Sequence, residues 1–318
     1  MKVQIIIPCF NEEKVIQSTY KELNKILLKD CKEKNYKFNL LFIDDGSSDN
    51  TLSLLKDIAI DDSNTNYISF SRNFGKEAAM YAGLENSTNF DAVIIIDSDL
   101  QHPPELIPEM IEKYFDGYNQ VIAQRNRKGE SLIRKIPTKL YYFIVNKFVD
   151  TPMVDGIGDF RLLSKNVVNT IVEMNETQRF SKGIFSWVGF DQFVITYDNI
   201  QRTDGESKWS FIKLLDYAID GVLSFNNKPL RILLYLGFIT FGLSLLYILI
   251  NFISVLINGI EEPGYFTIIF GILFLGSIQL ISLGVVGEYI GRIYYEVKDR
   301  PHYVVQHSNI DKEENNYE

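Results

Sequence analysis

Two aspartates one residue apart, Asp97-Ser98-Asp99, follow directly on the apolar run Ile94-Ile95-Ile96. Carboxylates that close repel one another and become useful when a cation joins them. Oxygen ligands completed by a diphosphate are the usual setting of Mg2+ or Mn2+. Gln101 supplies another side-chain oxygen two residues on. By itself the Asp-x-Asp spacing equally describes a surface turn. A second acidic group, Asp44-Asp45-Gly46-Ser47 with Asp49, closes the run Leu40 to Ile43. Asp and Ser cap helices and Gly turns chains, so a strand-to-helix loop explains these residues too. Position separates the readings, because two acidic strand ends adjacent in one sheet concentrate negative charge at one edge.

The elements that must position them are legible as short apolar, β-branched-rich runs: Val3 to Ile7, Leu40 to Ile43, Tyr67 to Phe70 and Ala92 to Ile96. Each is followed by polar or Gly-containing turn residues, the pattern of buried parallel strands. Between the first two, Ile16, Tyr20, Leu23 and Leu27 recur at helical spacing, and Asn11-Glu12-Glu13 is expected to supply an N-cap and an acidic first turn. Strand then helix, repeated, predicts a doubly wound α/β sheet. Ligands bind such sheets beyond the carboxyl ends of the strands. That directs attention to Pro8 through Glu12, Asp44 through Ser47, Ser71 through Lys76 and Asp97 through Gln101.

With 318 residues the chain has room for about two domains. A formal charge of -9 argues against nucleic acid as a partner. Cys9 and Cys31 show no metal or redox spacing and are read as structural, reduced thiols. The start Met1-Lys2-Val3-Gln4-Ile5 runs straight into a strand pattern without a signal-peptide core, so the body is expected in the cytosol. The mean hydropathy of -0.03 averages a polar body with two membrane-length stretches. Ile232 to Ile260 is 29 residues without a charge and Pro263 to Gly287 is 25. As helices these extend about 43 and 37 Å against a hydrocarbon core of about 30 Å.

Lys228 and Arg231 precede the first stretch, Arg292, Lys298 and Arg300 follow the second, and Glu261-Glu262 joins them. That asymmetry predicts an outward hairpin tip and both termini in the cytosol. Gly284, Gly287 and Gly291 could serve close helix contact and self-association, or simple packing. Between Arg125 and Lys147 the local charge is +6, and Leu132, Ile136, Leu140 and Phe143 recur at helical spacing. The expectation is a basic amphipathic helix over about 131–149 lying on an anionic membrane surface, with a core-facing helix bearing a solvated basic face as the alternative. The domain reading is therefore a cytosolic body 1–229, two transmembrane helices within 230–291, and an acidic cytosolic tail 292–318.

Taken in order, these motifs resemble a family. Pro8 to Glu12, Ile43 to Asp49, Ser71-Arg72-Asn73-Phe74-Gly75-Lys76 and Asp97-Ser98-Asp99-Leu100-Gln101-His102-Pro103-Pro104-Glu105 are similar to those of family 2 glycosyltransferases with a GT-A fold. More narrowly, the chain resembles polyprenyl-phosphate glycosyltransferases, the group of bactoprenol glucosyltransferases and dolichol-phosphate mannose synthases. The likeness continues through Gly158 to Leu163, Phe180 to Gly183, Trp187 to Phe190, Arg202 to Trp209 and Gly287 to Arg292.

It implies a Rossmann-like, doubly wound GT-A domain followed by a C-terminal two-helix transmembrane hairpin. It implies that Pro8, Asn11, Glu12, Asp44 and Asp45 cradle the nucleoside, and that Lys76 also binds substrate. By the same resemblance, Asp97, Asp99 and Gln101 hold Mg2+ or Mn2+ on the sugar-nucleotide diphosphate. Arg127, Arg202, Ser207 and Lys208 neutralise phosphate on the donor or the lipid. Asp159 is the carboxylate expected to be essential, either as a base or as an orienter of Arg161 or of the acceptor. A lipid phosphate has a second pKa of about 6 and is already largely dianionic at pH 7, so a base is not required and both roles stay open.

The activity implied is inverting transfer of one sugar, from UDP-glucose or UDP-N-acetylglucosamine, to undecaprenyl phosphate at the cytosolic membrane face. The product would feed cell-envelope polymers. Implied partners are membrane lipids, a second copy of the chain, and a flippase or downstream membrane glycosyltransferase. A processive polysaccharide synthase would carry Gln-x-x-Arg-Trp, whereas here Gln201-Arg202 is followed by Thr203. A non-catalytic membrane scaffold or flippase partner is the remaining alternative, and the retained acidic set argues against it.

Overall fold

The computed structural model describes residues 1–126, 156–177, 179–198, 228–258 and 264–310. The four apolar runs are strands β1 (Lys2–Cys9), β2 (Lys37–Asp44), β3 (Thr65–Phe70) and β4 (Ala92–Ile95). β1 pairs in parallel with β2 and β4, and β2 with β3. The helices between them are α1 (Ile16–Lys34), α2 (Thr51–Asp61) and α3 (Lys76–Glu85). Alternate residues of each strand feed two cores, because strand side chains point to opposite faces. Ile5, Ile7, Leu40, Phe42 and Ile94 pack with Leu23 and Leu27 of α1 and Leu55 of α2. Ile6, Leu41, Ile43, Val93 and Ile95 pack with Ala79, Met80 and Ala82 of α3. On α3, a Cβ at Gly83 would lie 2.4 Å from Ile6 Cγ2, so a missing side chain sets how closely this helix meets β1.

Helix α1 starts four residues later than the N-cap reading of Asn11 placed it. It has no acidic residue in its first turn, and its first backbone bonds run from Val15 and Ile16 to the Glu12 carbonyl. The polar residues Asn11, Glu12 and Glu13 instead bind the loop after β2, which removes them from capping. Asn11 adopts a left-handed φ of 56°, its N–H donates to Ser47 Oγ at 2.9 Å, and its Oδ1 accepts from Ser48 N at 2.8 Å. Glu12 N donates to Thr51 Oγ1 at 2.8 Å and Glu13 N to Asp49 Oδ2 at 3.2 Å. Two loops at the carboxyl end of the sheet are thus zipped together.

Beyond β4 the chain forms α4 (Ile107–Phe115), β5 (Gln120–Arg125), β6 (Ile157–Ser164), α5 (Lys165–Glu173), α6 (Ser181–Trp187) and β7 (Gln192–Tyr197). The sheet is mixed, because β6 runs antiparallel between β4 and β5. Two long helices follow, α7 (Lys228–Asn258) and α8 (Tyr265–Val297), carrying large apolar side chains exposed along their lengths. The boundary expected at 291 falls inside α8. The segment after it does not behave as a tail: Val305–Ser308 forms β8, antiparallel to β3, and completes the order β7-β5-β6-β4-β1-β2-β3-β8. The acidic residues 311–318 and the basic stretch about 131–149 lie outside the described residues.

This return strand is anchored by specific contacts. The Tyr303 ring stacks on Phe70 at 4.8 Å, and its hydroxyl bonds Glu85 and Asn86. Glu296 at the end of α8 accepts from Thr177 N at 3.0 Å, His302 Nε2 meets Asn175 Oδ1 at 2.8 Å, and Asn309 Oδ1 accepts from Tyr67 N at 2.7 Å. The end of α8 is thereby fastened to the edge of the sheet. Tyr303→Ala removes the stack and both hydroxyl bonds and should cost about 2 kcal/mol. Thermal unfolding of the full chain in detergent should show a midpoint several degrees lower, and an unchanged midpoint would contradict this anchoring role.

Candidate active site

The carboxyl ends of β1, β2 and β4 meet where the chain order reverses: β2 and β3 lie on one side of β1 and β4 on the other. α1 and α3 cover opposite faces of the sheet, so a crevice opens between them. A cleft of about 460 Å³ lies there, lined among others by Pro8, Glu12, Asp45, Lys76, Asp97 and Asp99.

Its charges are organised by strand register. In the antiparallel β4–β6 pair, Ile95 is opposite Arg161. Extending that register by two residues sets Asp97 against Asp159. Like charges placed so are destabilising unless a cation intervenes. Lys76, the first residue of α3, supplies it: Nζ is 2.5 Å from Asp97 Oδ1 and 2.7 Å from Asp159 Oδ2. Burial alone would depress the lysine pKa, but Asp97 and Asp159 outweigh it and raise the ammonium well above the usual range. Burial likewise favours a protonated Asp97; the His102 hydrogen bond and Lys76 outweigh it and hold the carboxyl well below the ordinary value.

Lys76 is placed by Asp45, whose carboxylate accepts from Phe74 N at 2.6 Å and Gly75 N at 2.9 Å, just ahead of α3. Burial raises the pKa of Asp45, while those two backbone bonds oppose it. Gly46 makes the next turn with φ +69°, and a Cβ there would lie 2.4 Å from the Arg72 backbone carbon. The loop after β2 and the loop after β3 therefore approach closely enough to share these bonds.

Asp44 does not fit its expected part in cradling a nucleoside. It is fully buried, its Oδ1 accepting from Ser47 N at 3.1 Å and its Oδ2 from Ser69 Oγ at 2.7 Å, so it shapes the loop from inside. Arg161 is also withdrawn: it is 2% exposed, its guanidinium lies 3.8 Å over the Phe185 ring, and Nη2 donates to Gly158 O at 2.7 Å. Burial pushes its pKa down to about 10 against the pull of Asp159 and Glu77. Arg161 thus supports the Gly158–Asp159 segment and does not face the cleft. Asn11 joins the loops, as described above. Arg127, Arg202, Ser207 and Lys208 lie outside the described residues. Cys9 is buried, and burial, with Asp44 and nearby carboxylates, raises its pKa so that it stays a thiol.

Sequence motifs left three supports unassigned. Thr19 of α1 donates to the Ser98 carbonyl at 2.6 Å, tethering the turn between the two aspartates. Glu77, beside Lys76, accepts from Ser181 N at 3.1 Å and bonds the Ser181 hydroxyl, tying α6 to the same helix. His102 lies against Asp97. The Thr19 and Glu77 contacts are long-range, so local sequence carries no sign of them, whereas His102 sits close to Asp97 inside the Asp97 to Glu105 motif.

For a cation, Asp97, Asp99 and Gln101 offer hard oxygen donors on one turn, and Gln101 N donates to Asp99 Oδ1 at 3.1 Å. Among the described residues no three His, Cys, Asp or Glu side chains form a ready metal cage. Mg2+ commonly takes one or two carboxylates and completes its shell with substrate phosphate and water, so this donor set fits such an ion.

Residues 4–172 match the family described as glycosyl transferase family 2, and residues 228–293 match the GtrB C-terminal hairpin. The chain belongs to glycosyl transferase family 2. This glycosyltransferase is 51% identical over 97% of its length to the putative glycosyltransferase CsbB of Bacillus subtilis (strain 168), covering 92% of that protein. It is 41% identical to the SfII prophage-derived bactoprenol glucosyl transferase of Shigella flexneri, over 97% of this chain and 99% of that one. Among solved structures it is similar to S. aureus TarS 1-349, with a TM-score of 0.42 and 16% identity, covering 61% of this chain and 58% of that one. The family match and the hairpin match together give a GT-A-like α/β sheet domain with a C-terminal hairpin. Within the hairpin, Phe274–Val297 is long and apolar enough to cross a membrane and none of it is buried, so the glycosyltransferase is membrane-associated.

The Asp45 cap is directly testable. Asp45→Ala leaves the Phe74 and Gly75 amides without their acceptor and should cost about 1–2 kcal/mol in denaturant unfolding. Asp45→Asn keeps one acceptor oxygen and should recover part of that loss. Equal stability in wild type and Asp45→Ala would contradict the cap.

Proposed function

We propose that this glycosyltransferase moves a single sugar from a UDP-sugar to undecaprenyl phosphate at the cytosolic face of the membrane. The observation that carries the reading is the joining of Asp97, Asp159 and Lys76 in a strand-end cleft, in a chain whose apolar hairpin is fastened to the same sheet. The similarity to proteins named bactoprenol glucosyl transferase supports glucose as the sugar, with UDP-N-acetylglucosamine as the second donor to test. In the topology proposed, α7 and α8 both span, the hairpin tip faces outward and both termini lie in the cytosol. The lipid-linked sugar then passes to a flippase or a further membrane glycosyltransferase, and the chain acts as a homo-oligomer.

In the reaction an acceptor phosphate oxygen attacks the anomeric carbon from the side opposite the leaving group. The bond from that carbon to the donor's β-phosphate oxygen breaks, the configuration inverts, and UDP departs with the electron pair. The acceptor is already a dianion near neutral pH, so no proton need be removed. Asp159, in contact with Lys76, orients and does not act as a base. Lys76 stands beside the site of the departing diphosphate, where a preorganised cation stabilises developing charge. Asp97, Asp99 and Gln101 would hold Mg2+ or Mn2+, which when bound supplies further neutralisation of the leaving diphosphate. Pro8, Glu12 and Asp45 line the portion of the cleft assigned to the nucleoside. Arg127, Arg202, Ser207 and Lys208 are proposed to meet phosphate.

Purified full-length protein in detergent, given Mn2+, undecaprenyl phosphate and labelled UDP-glucose or UDP-N-acetylglucosamine, should make an organic-extractable sugar lipid. Chelation should stop it, and Asp99→Ala should lower turnover at least about 100-fold. Full turnover in Asp99→Ala would contradict the metal assignment. Failure with every nucleotide sugar would favour the scaffold reading.

A further inference from the structure

His102 sits three residues beyond Asp99, and nothing in the reaction just described uses it. Its ring is held on one side by a residue of the distant strand β7 and on the other by the aspartate that opens its own loop. Nδ1 lies 2.6 Å from the Tyr197 hydroxyl, and Nε2 lies 3.4 Å from Asp97 Oδ2. An ionised carboxylate only accepts, so the proton facing Asp97 is on Nε2; in the neutral ring Nδ1 then accepts from the phenol. Tyr197 ends β7 and is buried, and the His102 ring also packs on Phe160 of β6 with centroids 5.5 Å apart. Two strands and the loop after β4 therefore converge on one imidazole that is 17% exposed.

We infer that His102, clamped by Tyr197, is a positioning residue that fixes the Asp97 carboxylate for the cation it serves. The inference rests on the reading of Asp97 as a cation-binding group. Lys76 engages Oδ1, and an aspartate tethered at one oxygen still turns about its Cβ–Cγ bond. Holding the second oxygen stops that rotation before any ligand arrives, which lowers the ordering cost of binding. Outer partners of ligating side chains commonly matter 10- to 100-fold in metal affinity. A simple packing role for His102 predicts a different outcome, because ring volume and not the N–H would then matter.

The test uses the full chain in detergent with Mn2+ alone, its binding read by the electron paramagnetic resonance signal of free Mn2+ and its folding by thermal midpoint. His102→Leu should weaken Mn2+ binding roughly tenfold, and Tyr197→Phe, which keeps the ring and removes the hydroxyl, about threefold or more. His102→Gln, which keeps an N–H donor, should stay within about twofold of wild type. Tyr197→Phe should weaken binding without a matching fall in midpoint. Unchanged Mn2+ affinity in all three variants overturns this inference alone, and so does a His102→Gln loss as large as that of His102→Leu. No Mn2+ binding in the wild type overturns the metal reading and this inference together. Should His102→Leu fail to fold, Tyr197→Phe and His102→Gln decide between the outcomes.

Discussion

Carboxylate repulsion at the sheet edge is the constraint from which the rest of this site follows. The register that pairs Ile95 with Arg161 carries Asp97 and Asp159 toward each other, and one ammonium contacts both. Two like charges about 5 Å apart oppose one another by about 3 kcal/mol at an effective dielectric near 20. A fold that concentrates charge this way must supply a cation at that point, and Lys76 is fixed there by being the first residue of α3. Asp45 holds the two amides just before it, and the close packing of Gly83 on Ile6 sets the helix against β1. Loop, helix and strand pairing thus serve a single electrostatic requirement.

The second organising feature is the fastening of the apolar hairpin to the catalytic sheet. α8 does not end in a free segment; Glu296, His302, Tyr303 and β8 bind it to the 174–177 loop, α3 and β3. α3 is the helix that presents Lys76. A helix apolar enough to enter a membrane and the helix that neutralises the active site are therefore connected through one contiguous set of contacts. The proposed lipid-phosphate acceptor would use that connection, because it would hold the cleft near the membrane surface.

Much of this was legible in the sequence where one physical rule dominates. Buried parallel strands read as continuous apolar runs, so β1 to β4 and the acidic residues that end them were found by pattern. The uncharged stretches were plain for the same reason. Elements set by tertiary contact were not legible. β8 is four largely polar residues that become a strand only because β3 offers an open edge. Asn11, Glu12 and Glu13 have the composition of a helix start, yet the facing loop of Ser47 to Thr51 takes their hydrogen bonds. Asp44 and Asp45 are adjacent in sequence and opposite in use, since Asp44 ends β2 facing inward against Ser69 while Asp45 begins the loop that lines the cleft. Arg161 belongs to a recognisable motif, but its place in β6 carries it under Phe185. Tyr197 meets His102 across 95 residues, and no local pattern announces it.

The account's central claim is that the Lys76-bridged acidic edge is where the donor diphosphate binds. Calorimetric titration of UDP with Mn2+ into the full chain and into Lys76→Met tests it most directly. The account predicts at least about a tenfold loss of UDP affinity in Lys76→Met, in keeping with a desolvated charge-assisted contact worth 1.5–3 kcal/mol. UDP affinity equal to wild type in that variant would contradict it.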